Sequence, residues 1–263
     1  MDRMAQTALN SLKMLMENQT AIAHNLANVN TPGFKQDVAT DFSSIFLDRQ
    51  NGMEPRIVSA RNTGGFSVEQ GQLENTKNNL DVAIKNDGYF IIQPNNGGSV
   101  AFSRRGDLQI NENGELLDGA GNQMLDAGLQ AIEIPAFTSI NISPEGQIFI
   151  KPLGGDVDAE PVEVAVLGTS IPAEEVQLTK SLDGHIRILP SQNEDGAEEE
   201  VAIEANQQAK IISGFLEKSN VNSVDEMVNS LENQRKFEMH IKFIQMAEEL
   251  DSAGASLLRL PGM

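Results

Sequence analysis

MDRMAQTALNSLKMLMENQTAIAHNLANVNT, residues 1–31, contains neither Gly nor Pro, and its reading decides the fold. Within it, small or apolar residues recur at Met1, Ala5, Ala8, Leu12, Leu15, Ile22, Leu26 and Val29, with Gln19 the one polar member of the series. The steps alternate four and three without a break, the spacing of a helix that lays one seam along a partner helix. The break Thr31, Pro32, Gly33, Phe34 stops it, because the residue before a Pro is pushed out of the α region. The chain therefore opens with a helical arm of about 42 Å.

The other end mirrors the first. Leu216–Ala253 is also free of Gly and Pro. Ser223 and Glu226 have capping-box spacing, each side chain within reach of the other's amide. Apolar residues follow at Val224, Val228, Leu231, Phe237, Ile241, Ile244, Ala247 and Leu250. Two arms at opposite chain ends meet only if the middle returns the chain near its start. The expected fold class is α+β: N- and C-terminal helices pairing as a coiled coil, with a central all-β domain.

The middle is written in turn signals. Asp87–Gly88, Asn113–Gly114, Glu145–Gly146 and Asp183–Gly184 each precede any residue and then an apolar one, with flanks that alternate as strands do. Such pairs favour the positive φ of hairpin turns. The expected body is an antiparallel sheet closed into a barrel or folded into a sandwich. The expected domains are a helical coiled-coil domain from 1–31 and 216–263, an extended connector over 32–75, and a β domain over 76–215. An acidic loop near 191–204 holds Glu194, Asp195, Glu198, Glu199, Glu200 and Glu204 without Lys or Arg and reads as solvated.

At 263 residues and a net charge of −19, the chain is long enough for a sizeable core and ill suited to nucleic acid. With no Cys, it has no thiolate ligand, thiol nucleophile or disulfide. No stretch reads as a secretory signal or a membrane span, so no membrane insertion is expected.

Catalytic constellations are missing. His24 and His240 lie on opposite arms and would approach if the arms paired closely, but neither has a His or carboxylate four residues on. They read as helix-surface residues rather than metal ligands. Asp107 to Glu115 fails as a calcium loop, since Gln109 and Glu112 stand at positions three and six. No dinucleotide, phosphate-loop or nucleophile-elbow motif occurs. The expectation is no enzyme, no cofactor and no metal. Eight of the ten Met lie in the arms, which suits adaptable contact with several slightly different neighbours.

One further pattern is a resemblance. Asn25–Leu26–Ala27–Asn28 followed by Thr31–Pro32–Gly33–Phe34–Lys35 resembles the signature of the flagellar rod and hook family, with His24 where Asn is usual. Three more blocks are similar to it. They are Leu80–Asp81–Val82–Ala83–Ile84 with Asp87–Gly88–Tyr89–Phe90, Phe102–Ser103–Arg104–Arg105–Gly106–Asp107, and Ser219–Asn220–Val221–Asn222–Ser223–Val224–Asp225–Glu226–Met227. Arg235–Lys236–Phe237–Glu238–Met239 and Leu257–Leu258–Arg259–Leu260 look most like proximal-rod members, with distal-rod members the alternative.

The resemblance implies a structural subunit of the bacterial flagellar basal-body rod. It would be exported by the flagellar type III apparatus without a cleaved signal peptide and assembled across the periplasm. Its partners would be other rod subunits and copies of itself. The expected assembly interface is Ala8, Leu12, Leu15, Ile22, Asn25, Leu26, Asn28 and Val29 on the first arm, with Val224, Val228, Leu231, Phe237, Ile241 and Ile244 on the second. Asn25 and Asn28 share a helix face, so their amides can bond a neighbouring arm, while Asn28 can equally cap its own helix.

Overall fold

The computed structural model describes residues 2–38, 44–46, 57–59, 65–154, 160–173, 176–181, 183–189, 191–192, 198–199 and 203–258. They form two compact units, one from 1–27, 37–65 and 222–263, the other from 28–36 and 66–221.

The first unit is mainly two helices, α1 (Asp2–Ala27) and α2 (Ser223–Leu258), which pack along each other. Partners run in opposite senses along the two: Asn25 meets Glu226, Gln19 meets Ser230, and the Leu15 carbonyl meets Asn233. The pair is therefore antiparallel. A short hairpin, Ser44–Phe46 against Ile57–Ser59, belongs to the same unit.

The cap of α2 is one residue upstream of the expected one. Asn222, not Ser223, is the cap: its side-chain oxygen accepts the Val224 amide and its carbonyl accepts that of Glu226. An Asn at this position accepts as well as a Ser, and this frees Glu226 to reach across to α1.

The regular secondary structure described in the second unit is all β. Its main sheet runs Leu178–Lys180, Ile186–Ile188, Ala101–Ser103, Tyr89–Gln93, Gln123–Met124, Leu116–Asp118 and Leu108–Ile110, with Thr169–Ser170 also paired to Tyr89–Gln93. The two end strands of this path do not pair with each other, so the sheet does not close into the expected barrel.

Tyr89–Gln93 lies at the centre. Phe90 and Ile92 join one apolar cluster, while Tyr89 and Ile91 join another on the opposite face. Its unbroken apolar run follows from burial on both sides. The larger cluster is completed by the antiparallel sheet of Phe137–Ile142, Gln147–Pro152 and Val162–Val166, in which Ile140 faces Ile150 and Ile142 faces Ile148.

Gly114, Gly146 and Gly184 take the positive φ of their turns, at 87°, 87° and 83°. Gly88 does not. Its neighbouring strand Val82–Ile84 pairs with Ile211–Ser213 instead of forming a hairpin with Tyr89–Gln93. A Cβ at Gly88 would lie 2.7 Å from that of Ala209, so this glycine provides room rather than a turn. The connector expected over 32–75 is also shorter than drawn. Leu73–Asn75 pairs with Phe215–Glu217, and both strands are part of the second unit.

Candidate assembly interface

On α1, Leu15 and Ile22 are buried and Leu12, Gln19 and Leu26 half-buried. The Leu12–Leu26 part of the expected seam thus lies along one face of α1, while Leu9 and Met16 point outward and the side chains of Met1 and Ala5 are outside the described residues. Ala8 lies where the side chains of α1 are outside the described set.

The facing surface of α2 runs Glu226, Ser230, Asn233, Phe237, His240, Ile244 and Ala247, again in steps of four and three. Its first half is polar. Asn233 Nδ2 donates to the Leu15 carbonyl and to Gln19 Oε1, each at 2.9 Å, and Gln19 Nε2 donates to Ser230 Oγ at 3.1 Å. Buried Asn25 donates to Glu226 Oε1 at 3.2 Å and clasps the Asp37 backbone, accepting its N–H at 2.7 Å and donating to its carbonyl at 3.0 Å. Polar pairs at a helix seam fix register at some expense of stability.

The sequence-expected interface residues of α2 therefore split. Phe237 and Ile244 face α1. Val224, Val228 and Leu231 lie on the opposite side and are 65%, 50% and 57% exposed, and Ile241 is exposed on the flank. Met239, Phe243, Met246 and Leu250 extend the outward stripe along the helix.

Asn25 and Asn28 have local partners. Asn25 is held by Asp37 and Glu226. Asn28 lies past the end of α1, where its side-chain oxygen accepts the Thr31 hydroxyl and its carbonyl the Thr31 amide. The amide groups of Asn25 are thus used inside the subunit. Val29 lies beyond α1 in the second unit and is half-buried. His24 pairs with Asp37. The antiparallel register places His24 beside the start of α2 and His240 about four turns further on, so the two do not meet.

The break at Thr31–Phe34 has a packing cause beyond Pro32. Gly33 has φ +67°, and a Cβ there would sit 2.3 Å from the Arg104 carbonyl atoms. Phe34 is buried with Lys180 Nζ 3.6 Å from its ring centroid.

Next to it lies a cluster that the sequence reading missed. Lys35 Nζ donates to Glu217 Oε1 at 2.9 Å and to the Glu69 carbonyl at 2.7 Å. Arg104 Nε lies 3.3 Å from Glu217 Oε2. All three charged side chains are at most 3% exposed. Burial pushes the Lys35 ammonium below its usual range, with the Glu217 hydrogen bond pulling the other way. Burial likewise raises Tyr89, 5.7 Å from the Arg104 guanidinium carbon. A lone acid in Phe215–Leu216–Glu217 looks like any exposed strand residue, so only the family-like blocks containing Lys35 and Arg104 hinted at this cluster.

The described residues hold no group of three His, Cys, Asp or Glu able to bind a metal ion, and no described helix is long and apolar enough to cross a membrane.

Two antiparallel terminal helices with an outward apolar face, in one chain with a β unit, have the make-up of a structural assembly subunit. Residues 5–35 match the family described as flagella basal body rod protein, residues 83–150 the flagellar hook protein FlgE/F/G D1 domain, and residues 212–257 the flagellar basal body rod FlgEFG protein C-terminal. The chain is 30% identical to the flagellar basal-body rod protein FlgF of Salmonella typhimurium over 262 residues, covering 99% of this chain and 100% of the relative. It is 28% identical to FlgF of Escherichia coli, covering 97% and 96%. The basal-body rod protein FlgG of Borreliella burgdorferi is 28% identical, with 98% and 100% covered. The chain belongs to the flagellar basal-body rod protein family. It is most like the FlgF members, and it is a structural component of the basal body rather than an enzyme.

Proposed function

We propose that the chain assembles through its terminal helices into the axial tube of the rod, joining proximal to distal subunits and transmitting torque. The supporting observation is the outward stripe of α2, which is as apolar as a seam yet faces away from α1. In this reading α1 and α2 pair in coiled-coil fashion through Leu12, Leu15, Ile22, Leu26, Phe237 and Ile244, with Ala8 continuing that line. Val224, Val228, Leu231 and Ile241 then meet helices of neighbouring rod subunits and of further copies. Met239 and Met246 in the stripe suit contacts with non-identical neighbours. The subunit would leave the cell through the flagellar type III apparatus without a cleaved signal and take its place in the periplasm-spanning rod.

The test is the double variant Leu231→Asp with Met239→Asp. Both side chains are exposed, so the purified chain should unfold in urea within about 0.5 kcal/mol of the parent. Cells carrying it should lose motility, and basal bodies should lack the subunit. Normal motility with normal incorporation would overturn the reading.

A further inference from the structure

We infer that the contact between residues 33–36 and 217–220 is a mechanical clamp, loaded in shear when force passes along the chain. The inference rests on the reading of the subunit as torque-bearing only for its purpose, since the clamp itself is a property of the single chain.

Both segments belong to the second unit, and each leads directly to a terminal helix. The Gly33 amide donates to the Glu217 carbonyl at 2.7 Å, and the Asn220 amide donates to the Phe34 carbonyl at 3.3 Å. The Gln36 amide donates to Asn220 Oδ1 at 2.7 Å. Partners thus advance together along the two segments, which run side by side in the same direction. Force enters the first at its N-terminal end, from α1, and leaves the second at its C-terminal end, into α2. Pulling then slides one segment along the other, and every cross-link carries load at once.

The side chains reinforce this geometry. Lys35 joins Glu217 across the pair at 2.9 Å, and Lys180 Nζ holds the Lys35 carbonyl at 2.6 Å. Glu217 Oε1 also accepts the Gly71 amide at 3.0 Å, and Asn220 Nδ2 donates to the Glu69 carbonyl at 3.0 Å. The segments are therefore fastened to the body as well as to each other. Ionic bonds buried away from water are not weakened by competing solvent, and removing one partner strands a buried charge. The helix pair is loaded oppositely. Being antiparallel, it has both chain ends at one end of the pair, so the same pull peels it one contact at a time.

The experiment stretches the full chain by its two ends in a force-clamp or tweezers instrument. The expected record is a gradual low-force extension as the helices peel, then a separate high-force rupture releasing the β unit. Glu217→Gln should bring the second rupture down toward the first. Asn220→Ala keeps the buried charges intact and decides the matter if Glu217→Gln does not fold; it too should lower that rupture. Ile150→Val, in a strand that makes none of these cross-links, weakens the larger apolar cluster of the β unit and should leave the rupture force as in the parent. A single unfolding event, clamp variants that rupture at the parental force, or an Ile150→Val effect equal to theirs would overturn the clamp. Loss of motility in the α2 stripe variant bears on assembly alone, so the two ideas fail separately.

Discussion

Glu217 is the residue on which the second unit's charge balance turns. Its carboxylate sits between Lys35 and Arg104 with almost no access to solvent. Glu217→Ala would leave both cations buried without their acid, a change that costs about 3–5 kcal/mol when a buried pair is broken. Urea unfolding of the purified variant should show a loss of that size, and a loss below about 1 kcal/mol would mean the cluster is solvated in solution. Asp183 behaves differently. Burial alone would raise its pKa, yet the Arg187 hydrogen bond and the His185 amide bring it down to about 2. A carboxylate depressed in the folded state stabilises above its unfolded pKa and loses that contribution as pH falls from about 4 towards 2. Because the pair is solvent-screened, about 0.5–1 kcal/mol is at stake. Asp183→Asn should remove this acid-dependent part of stability between pH 4 and 2 while leaving the slope above pH 5 as in the parent.

The helices separate what is legible in a sequence from what is not. For α1, the series from Leu12 to Leu26 lies on one face because that face is both the apolar one and the one turned to α2. In α2 the two properties part company. Its inner face begins with Glu226, Ser230 and Asn233, while Val224, Val228 and Leu231 lie outside. Apolar periodicity finds an apolar stripe but not what the stripe touches, so one series of expected interface residues holds both Phe237, on the inner face, and Val224, Val228 and Leu231, on the outer. Hairpin turns at Gly114, Gly146 and Gly184 were legible because positive φ is written locally. Gly88 was not, because its need for space is set by Ala209, far along the chain. Glu217 was hidden for the same reason. The helix pair also has its own small core. Ile22→Ala should cost about 2–4 kcal/mol there. Hydrogen exchange should show α1 and α2 losing protection while the strands between residues 82 and 150 keep theirs. Equal loss in both sets would make the two units one cooperative element.

At the scale of the whole molecule, the charge of −19 acts against the apolar stripe. Most of the acidic excess belongs to the sequence of the second unit, whereas the stripe lies in the first. Copies brought together through α2 therefore bring together bodies of like sign. Between exposed charges this repulsion reaches about 30 Å at 0.01 M salt but only about 3 Å at 1 M. Apolar contact is not weakened by salt in the same way. Self-association of the purified chain should therefore rise with ionic strength, and also as pH falls towards the pI of about 4.4. That window lies above the one in which the contribution of Asp183 to stability is lost. Sedimentation velocity across a salt series reads the effect directly. The stripe variant Leu231→Asp with Met239→Asp should stay monomeric throughout, because screening removes a barrier without supplying an attraction. Association that is indifferent to salt, or equal in the stripe variant, would show that the contact between copies is made elsewhere than on α2.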